Sequence, residues 1–234
     1  MNKLVIAAFI PLAFLLTSCG EKKINPNDYL TISYDGYSEA ATATASLDAN
    51  KMVTDFPEAF RLGKNYKQSD VNKVVDQINK SSLGQLSKTE GISNGDEISF
   101  SWDKNALSVL ESSYKVKWSG YEDIKETVAE LPELKKFDPF EDFTPKFEGK
   151  SPHIKTTGDY DFVRPDDCED LLLAIRFLPE HGEYSTGDKL TAKVYLWEFG
   201  FNVEESFDLV KYVKQRFGYE ITQTEKVYTV SSAF

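Results

Sequence analysis

The chain has 234 residues, of which 41% are hydrophobic and 13% aromatic, enough apolar material for one large domain or two smaller ones. Its 38 acidic side chains outnumber its 27 basic ones, and the formal net charge is −11 at pH 7. Phosphate backbones repel so acidic a chain, and the charge therefore excludes nucleic acid as the partner.

The first 20 residues have the pattern of an export signal. Lys3 precedes an apolar run at positions 4–16 that is interrupted only by Pro11. Because a helix needs about 20 apolar residues to cross a bilayer, this shorter run predicts a signal peptide and not a transmembrane helix. The run ends in LTSC at positions 16–19, which resembles the lipobox of bacterial lipoproteins: an aliphatic residue, two small residues and a cysteine.

The lipobox resemblance implies a membrane anchor. The Cys19 thiol would carry diacylglycerol, residues 1–18 would be removed, and the chain would be held on the extracytoplasmic face of a bacterial cell membrane. Residues 19–27 would form a polar tether, and its eight residues after Cys19 reach no more than about 29 Å. An ordinary secretory cleavage site with a chance cysteine is the alternative. With Cys19 lipidated, Cys168 has no partner within the chain for a disulfide.

Residues 28–133 are predicted to form a first module that begins with a hairpin. Positions 29–34 alternate in hydrophobicity, Asp35-Gly36 favours a tight turn, and a second strand follows at 41–47. Ser69 or Asp70 then caps a helix. The apolar side chains of this helix recur at the spacing of one face, at Val71, Val74, Val75 and Ile78.

The same module continues from the turn SNGD at positions 93–96. A strand is predicted at 97–102, and Asp103 is predicted to cap a short helix after it. Strands at 114–118 and 124–129 complete the module.

Residues 137–234 are predicted to repeat this plan after a charged connector, LPELKK at positions 131–136. FTPKFEG at 143–149 echoes the opening hairpin, and an apolar run at 171–177 predicts a strand buried on both faces. STGD at 185–188 matches SNGD at three of four positions and precedes a strand at 189–197.

The end of the second module is predicted to be a helix followed by two strands. Asn202 with Glu205 resembles a capping box, and Gly218 supplies the stop. Strands at 219–222 and 226–230 follow. The apolar side chains of the helix lie near one face, at Phe207, Val210, Val213 and Phe217.

Two segments, YDGY at positions 34–37 and LSKTEGISNGDEISF at 86–100, resemble the repeated extracytoplasmic modules of Gram-positive surface lipoproteins. The resemblance covers nearly all of residues 28–130 and extends loosely over 137–234. It implies immunoglobulin-like modules with no assigned function. The fold expected is mainly β with helical connections, as two tandem, similar β-sandwich domains.

The sequence predicts no catalytic residue, and we expect the chain not to be an enzyme. It has no G-x-S-x-G elbow, H-E-x-x-H pair, phosphate loop, G-x-G-x-x-G or C-x-x-C motif. Its two histidines, His153 and His181, are predicted to be exposed loop residues. Cys168 lies among carboxylates that disfavour its thiolate, which predicts an inert thiol.

The acidic segment at positions 158–170 is the candidate metal site. Its calcium ligands would be Asp159, Asp161, Asp166 and Asp167, since calcium prefers clustered carboxylate and carbonyl oxygens. The spacing is not that of an EF-hand. A solvated loop that keeps an edge strand soluble is the alternative, and no other cofactor is expected. Further carboxylates at the connector, on Asp138, Glu141 and Asp142, would lie between the domains.

Aromatic residues at turns and strand ends give a second candidate, for contact with a protein or a sugar. Such rings either pack between sheets or anchor a partner, and they are Tyr34, Tyr37, Trp118 and Tyr121. Those that alternate within strands are predicted to be core: Phe100, Trp102 and Trp197.

The function expected is a lipid-anchored binding or structural module of a bacterial cell envelope that contacts a protein or a glycan. One alternative is a cell-envelope hydrolase that uses a carboxylate pair near Asp159 and Asp166. The other is a solute receptor linked to a transporter, although such receptors need alternating strand and helix units that this pattern lacks.

Overall fold

The computed structural model describes residues 6–7, 23–157, 160–178, 182–199 and 207–231. These residues form mainly strands, in several small antiparallel sheets, with four α-helices, so the mainly-β class is confirmed. The chain divides into two compact units, Met1–Pro132 and Glu133–Phe234, each with its own hydrophobic core.

The described part of the first unit contains six strands in two antiparallel sheets, ordered β1-β2-β3 and β4-β5-β6. Its strands are β1 (Ile6–Ala7), β2 (Leu30–Asp35), β3 (Thr42–Leu47), β4 (Gly84–Leu86), β5 (Glu97–Trp102) and β6 (Ile124–Thr127). Its helices are α1 (Ala49–Asp55), α2 (Gln68–Lys80), α3 (Lys104–Ser113) and a 3-10 helix, Pro26–Tyr29.

The described part of the second unit contains eight strands and one α-helix. An antiparallel sheet has the order β10-β11-β12-β14, β8 pairs with β9, and β13 pairs in parallel with β7. Its elements are β7 (Lys135–Phe137), β8 (Phe147–Glu148), β9 (Lys155–Thr156), β10 (Tyr160–Val163), β11 (Leu173–Leu178), β12 (Lys189–Leu196), a 3-10 helix (Trp197–Phe199), α4 (Leu209–Phe217), β13 (Tyr219–Ile221) and β14 (Glu225–Thr229).

The core of the first unit follows the periodicities of the sequence. Alternate residues of β2 and β5 point inward, and α2 adds one apolar face, as predicted. The buried side chains are Leu30, Ile32, Tyr34, Ile98, Phe100, Trp102, Val71, Val74 and Ile78. Ile24, in the predicted tether, is also fully buried in this core.

Helix starts in the first unit are set by aspartates. Asp48 caps α1, a helix that the sequence did not predict, and its carboxylate accepts a hydrogen bond from the Lys51 backbone N–H at 2.8 Å. Asp103 caps α3 as predicted. The predicted cap of α2 was wrong by two or three residues: the helix begins at Gln68, after Lys67, and the Asp70 carboxylate accepts the Lys67 backbone N–H at 3.1 Å.

The predicted strand at 114–118 was wrong. Trp118 makes an isolated parallel bridge to Ile24, and its indole Nε1 donates to the Leu107 carbonyl at 3.0 Å. Two backbone hydrogen bonds, from the Ile24 N–H to the Lys117 carbonyl at 2.8 Å and from the Ser119 N–H to the Ile24 carbonyl at 2.9 Å, hold the segment beside Ile24 without forming a longer strand ladder.

The turn before β5 holds a glycine with a positive φ. Gly95 has φ +90°, and the Asp96 carboxylate accepts the Ser93 backbone N–H at 3.0 Å. The Gly95 N–H donates to the Val128 carbonyl at 2.8 Å, which joins the turn to the residue after β6.

The turn before β12 has the same hydrogen bonds. Gly187 has φ +97°, and the Asp188 carboxylate accepts the Ser185 backbone N–H at 2.7 Å. The Gly187 N–H donates to the Val230 carbonyl at 2.9 Å, in the residue after β14.

The second unit departs from the sequence prediction at its ends. Strand β7 (Lys135–Phe137) begins in the predicted connector, residues 131–136, and ends at the first residue of the predicted second module. Helix α4 begins at Leu209, where the Asp208 carboxylate accepts the Lys211 N–H at 2.9 Å, and the predicted cap, Asn202 with Glu205, lies outside the described residues. Gly218, with φ 75°, ends the helix as predicted.

Candidate functional site

Two of the predicted site residues cannot be placed, because Cys19 and Asp159 lie outside the described residues, as does His181. Among the residues that the structure describes, no helix is both long and apolar enough to cross a membrane.

The acidic segment is a strand followed by a turn rather than one loop. Asp161 lies within β10, and Asp166 and Asp167 follow in an exposed turn. The Asp167 carboxylate forms an ion pair with Lys135 and accepts a hydrogen bond from the Tyr219 hydroxyl. These two donors, Lys135 first, lower the pKa of the Asp167 carboxyl.

No cation site is assembled in the described part of the chain. A group of three or more His, Cys, Asp or Glu side chains able to hold a metal ion is absent there. Asp161, Asp166 and Asp167 therefore do not form a ligand set among themselves, and the calcium hypothesis stays a prediction that depends on residues outside the described ranges.

The two other side chains with reactive groups, those of His153 and Cys168, have neighbours within the protein. The His153 Nδ1 lies 2.6 Å from a Glu183 carboxylate oxygen on the exposed surface, in agreement with its predicted loop position. The Cys168 thiol is half-buried against the second core, and its backbone N–H donates to the Pro165 carbonyl at 3.2 Å.

The predicted aromatic candidates separate into core and surface. Tyr34 and Trp118 pack in the first core, at 6% and 7% exposure, whereas Tyr121 is 38% exposed. The prediction that Trp197 is core was wrong: its side chain is 38% exposed because β12 ends at Leu196 and the chain turns into a 3-10 helix.

Trp197 belongs to an exposed aromatic cluster with Tyr160 and Phe162. The ring centroids are 5.1 Å apart for Tyr160 and Phe162, 5.1 Å for Tyr160 and Trp197, and 4.8 Å for Phe162 and Trp197. Tyr160 is 38% exposed and Phe162 48%. We call these three residues the aromatic surface.

The strand register brings these rings together. On β10, Tyr160 is opposite Arg176 and Phe162 is opposite Ala174. Ala174 is in turn opposite Tyr195 on β12. Phe162 therefore lies on the same outer face as Tyr195, which comes two residues before Trp197. Ala174, which is opposite Phe162 in the register, is fully buried on this outer face.

Charged side chains share the outer face of the sheet with the aromatic surface. Arg176 and Lys193 are neighbours in the register, and Lys193 pairs with Glu225 at 3.3 Å. Asp161 alternates to the other face of β10, since successive strand side chains point to opposite faces. The outer face thus has Arg176 beside the rings, whereas its carboxylate, Glu225, lies on β14 at the opposite edge of the sheet.

The signal that could have found this surface was the alternation of Tyr160, Asp161 and Phe162. It has the period of a strand, but the carboxylates around it led to the interpretation of a solvated loop. Trp197 was missed because a residue just past the end of an apolar strand cannot be told from its interior by periodicity alone.

The first unit has a separate cavity of about 260 Å³. Its lining includes Leu30, Ile78 and Phe100 together with Asn79 and Ser82, and none of its lining residues is charged. The volume is below the roughly 300–1,000 Å³ of most ligand pockets, so the aromatic surface is the stronger candidate for contact with a macromolecule.

Comparison with protein-family models, with curated proteins and with solved structures finds no match to this chain.

Proposed function

We propose that this chain is a bacterial surface lipoprotein that binds a partner in the cell envelope. Its anchor is diacylglycerol on Cys19, and its binding site is the aromatic surface of the second unit. The exposed aromatic surface carries the proposal, because large aromatic side chains that are packed together at the surface often mark a site of contact with a partner.

The two units are proposed to be tandem copies of one immunoglobulin-like module. The turns at Gly95 and Gly187 support this, since each has a positive φ and the same carboxylate and backbone hydrogen bonds. A serine on an earlier loop also repeats: Ser38 accepts the Asn94 N–H at 3.1 Å, and Ser151 accepts the Thr186 N–H at 3.3 Å.

The anchor is tested by fractionation of cells that express Cys19→Ala. An acyl chain contributes about 0.8 kcal/mol for each buried methylene, so its loss should release the protein into the medium. Retention of Cys19→Ala in the membrane fraction after a salt wash would refute the lipid anchor.

The binding site is tested by cross-linking on intact cells with wild type, Phe162→Ser and Val227→Ser. Val227 is the matched control, since it is 61% exposed on the same outer face at the opposite edge of the sheet. We expect the cross-linked partner to be lost with Phe162→Ser and kept with Val227→Ser. Equal cross-linking by all three proteins would exclude the aromatic surface as the binding site.

A further inference from the structure

The chain between the proposed anchor and the folded first unit is short. Ile24 is fully buried in the first core, its N–H donates to the Lys117 carbonyl at 2.8 Å, and its carbonyl accepts the Ser119 N–H at 2.9 Å. Five residue steps separate Ile24 from Cys19, and they span at most about 18 Å. A lipid on Cys19 would therefore hold the surface around Ile24 within that distance of the membrane.

The surface around Ile24 carries a row of lysines. Ile24 and Trp118 pair in parallel and are both buried, so Lys23 lies beside Lys117 on the outer face. Lys115 shares that face, because it lies two residues from Lys117, and all three lysines are exposed. On the side of Ile24 that leads to the proposed anchor, three cations are thus neighbours.

The loop between α1 and α2 extends this row. The Lys115 N–H donates to the Ala59 carbonyl at 2.8 Å, two residues before Arg61. Burial raises the pKa of Tyr114, and the nearby Arg61 guanidinium opposes that rise, which places Arg61 close to Tyr114. Exposed lysines follow in the same loop at positions 64 and 67. We call six exposed cations the basic surface: Lys23, Arg61, Lys64, Lys67, Lys115 and Lys117.

The basic surface contrasts with an acidic chain. Residues 23–27, 59–69 and 112–121 contain its six cations and no carboxylate, whereas the whole chain has a formal net charge of −11. In the described part of the first unit, the lysines in ion pairs are other ones: Lys51, Lys73, Lys88 and Lys125. The net charge of the chain therefore does not describe this side of the first unit.

The residues around the basic surface favour contact with lipid headgroups. Of the carboxylates that flank its segments, Asp70 pairs with Lys73 at 3.5 Å, and Glu111 accepts the Trp118 backbone N–H at 3.1 Å. Tyr66, in the same loop as three of the cations, is 37% exposed. Clustered cations attract anionic lipids, and tyrosine rings are enriched at the level of the headgroups.

We propose that the basic surface docks the first unit on the anionic headgroups of the membrane that holds the Cys19 lipid. This inference rests on the anchor in the proposed function and goes beyond it, because it assigns a membrane-facing side to the first unit. At physiological ionic strength, repulsion from the acidic remainder of the chain is screened over about 8 Å, whereas the short tether keeps the cations near the lipid. Each cation at an anionic surface should strengthen docking about fivefold.

The test is acetylation of lysines on the full lipidated chain in vesicles, measured residue by residue by mass spectrometry. Vesicles that contain phosphatidylglycerol are compared with vesicles of phosphatidylcholine alone, after flotation has isolated the bound protein. We expect the five lysines of the basic surface to react about fivefold more slowly on the anionic vesicles, and Lys125 on β6 to react equally on both. At about 1 M salt the Debye length falls to about 3 Å, and the protection should be lost.

Two triple variants with the same net charge locate the docking site. The first removes three cations of the basic surface, by Arg61→Gln, Lys115→Gln and Lys117→Gln. The second removes three exposed cations elsewhere on the first unit, by Lys80→Gln, Lys88→Gln and Lys104→Gln. We expect protection of Lys23, Lys64 and Lys67 to be lost in the first variant and kept in the second. Equal protection in both variants would overturn the basic surface as the docking site.

The lipid composition decides what the surface contacts. Equal acetylation of its lysines on the two kinds of vesicle would overturn docking on anionic headgroups. Inorganic phosphate that protects the same lysines equally well, on the lipidated chain in detergent, would replace the membrane with free phosphate as the ligand.

Flotation separates this inference from the proposed anchor. Flotation on both kinds of vesicle with unprotected lysines would keep the anchor and overturn docking. Flotation on anionic vesicles alone, lost in the variant at Arg61, Lys115 and Lys117, would keep docking and overturn the lipid anchor. Flotation on neither kind of vesicle would overturn both.

Discussion

Burial changes the pKa of Tyr34, a residue whose position in the sequence allows either packing in the core or contact with a partner. It is 6% exposed on β2, and its hydroxyl donates to a Glu126 carboxylate oxygen at 3.4 Å. Burial, and then the Glu126 carboxylate, raise the pKa of Tyr34 to about 12 from 10.0. The phenol is therefore held neutral in the folded first unit at a pH where the unfolded chain releases the proton.

The sign of the pH dependence follows from this difference. Between pH 10.0 and about 12 the unfolded chain has lost the Tyr34 proton and the folded chain has kept it, so stability falls as the pH rises. From about pH 9 to about pH 11 this group should remove roughly 1.4 kcal/mol from the free energy of unfolding.

Tyr34→Phe should reduce that loss of stability by about the same amount, because it keeps the ring and removes the ionisation. Urea unfolding at both pH values measures it. Tyr121→Phe removes the hydroxyl of an exposed tyrosine and is the matched control for the substitution. Identical pH dependence in Tyr34→Phe and wild type would mean that burial does not retain the proton.

At the scale of elements, the turn before β5 depends on the backbone of one glycine. A Cβ added at Gly95 would meet no atom within 4 Å, so only its φ of +90° opposes a side chain. Residues other than glycine lose about 1–2 kcal/mol in left-handed conformations.

We expect Gly95→Ala to lower the free energy of unfolding by about 1–2 kcal/mol, measured by urea titration. Gly63→Ala is the control, because Gly63 also has open space around it and lacks a positive φ. That substitution should be neutral or stabilising by about 0.5 kcal/mol. Equal effects of the two alanines would show that backbone strain does not set the turn.

The elements that the sequence predicted well are those with strong local signals. Strand β5 has strict alternation after a glycine turn, and α3 has an aspartate cap, so both were predicted within a residue or two. The error at 114–118 had another source. Val116 and Trp118 are apolar at strand spacing, but Trp118 is held by its contacts to Leu107 of α3 and to Ile24, and Val116 is buried in the first core.

The candidate site could be predicted only in part, because the pairing between strands, and not the sequence of one strand, brings its residues together. Tyr160 and Phe162 are close in sequence, but Trp197 joins them through the pairing of β10, β11 and β12. Periodicity gives the face of each strand and not which strands are neighbours. For that reason the sequence predicts Trp197 as a core residue and the acidic segment around Tyr160 as a cation site or a solvated loop.

At the scale of the whole molecule, the two units each have a buried core of their own. Ile98 is fully buried in the first, on β5, and Ile175 is 1% exposed in the second, on β11. The units span Met1–Pro132 and Glu133–Phe234, and at both sizes a single hydrophobic core usually supports folding by itself.

We therefore expect the units to unfold in separate transitions. Ile98→Val and Ile175→Val each remove one buried methyl group and should each cost about 1 kcal/mol, which lowers Tm by roughly 4–8 °C in a unit of this size. Calorimetry of the full chain should show Ile98→Val moving one transition and Ile175→Val moving the other. Because the two substitutions are chemically identical and both lie in central strands, each is the control for the other. One transition that both substitutions shift equally would mean that the halves unfold as a single cooperative body.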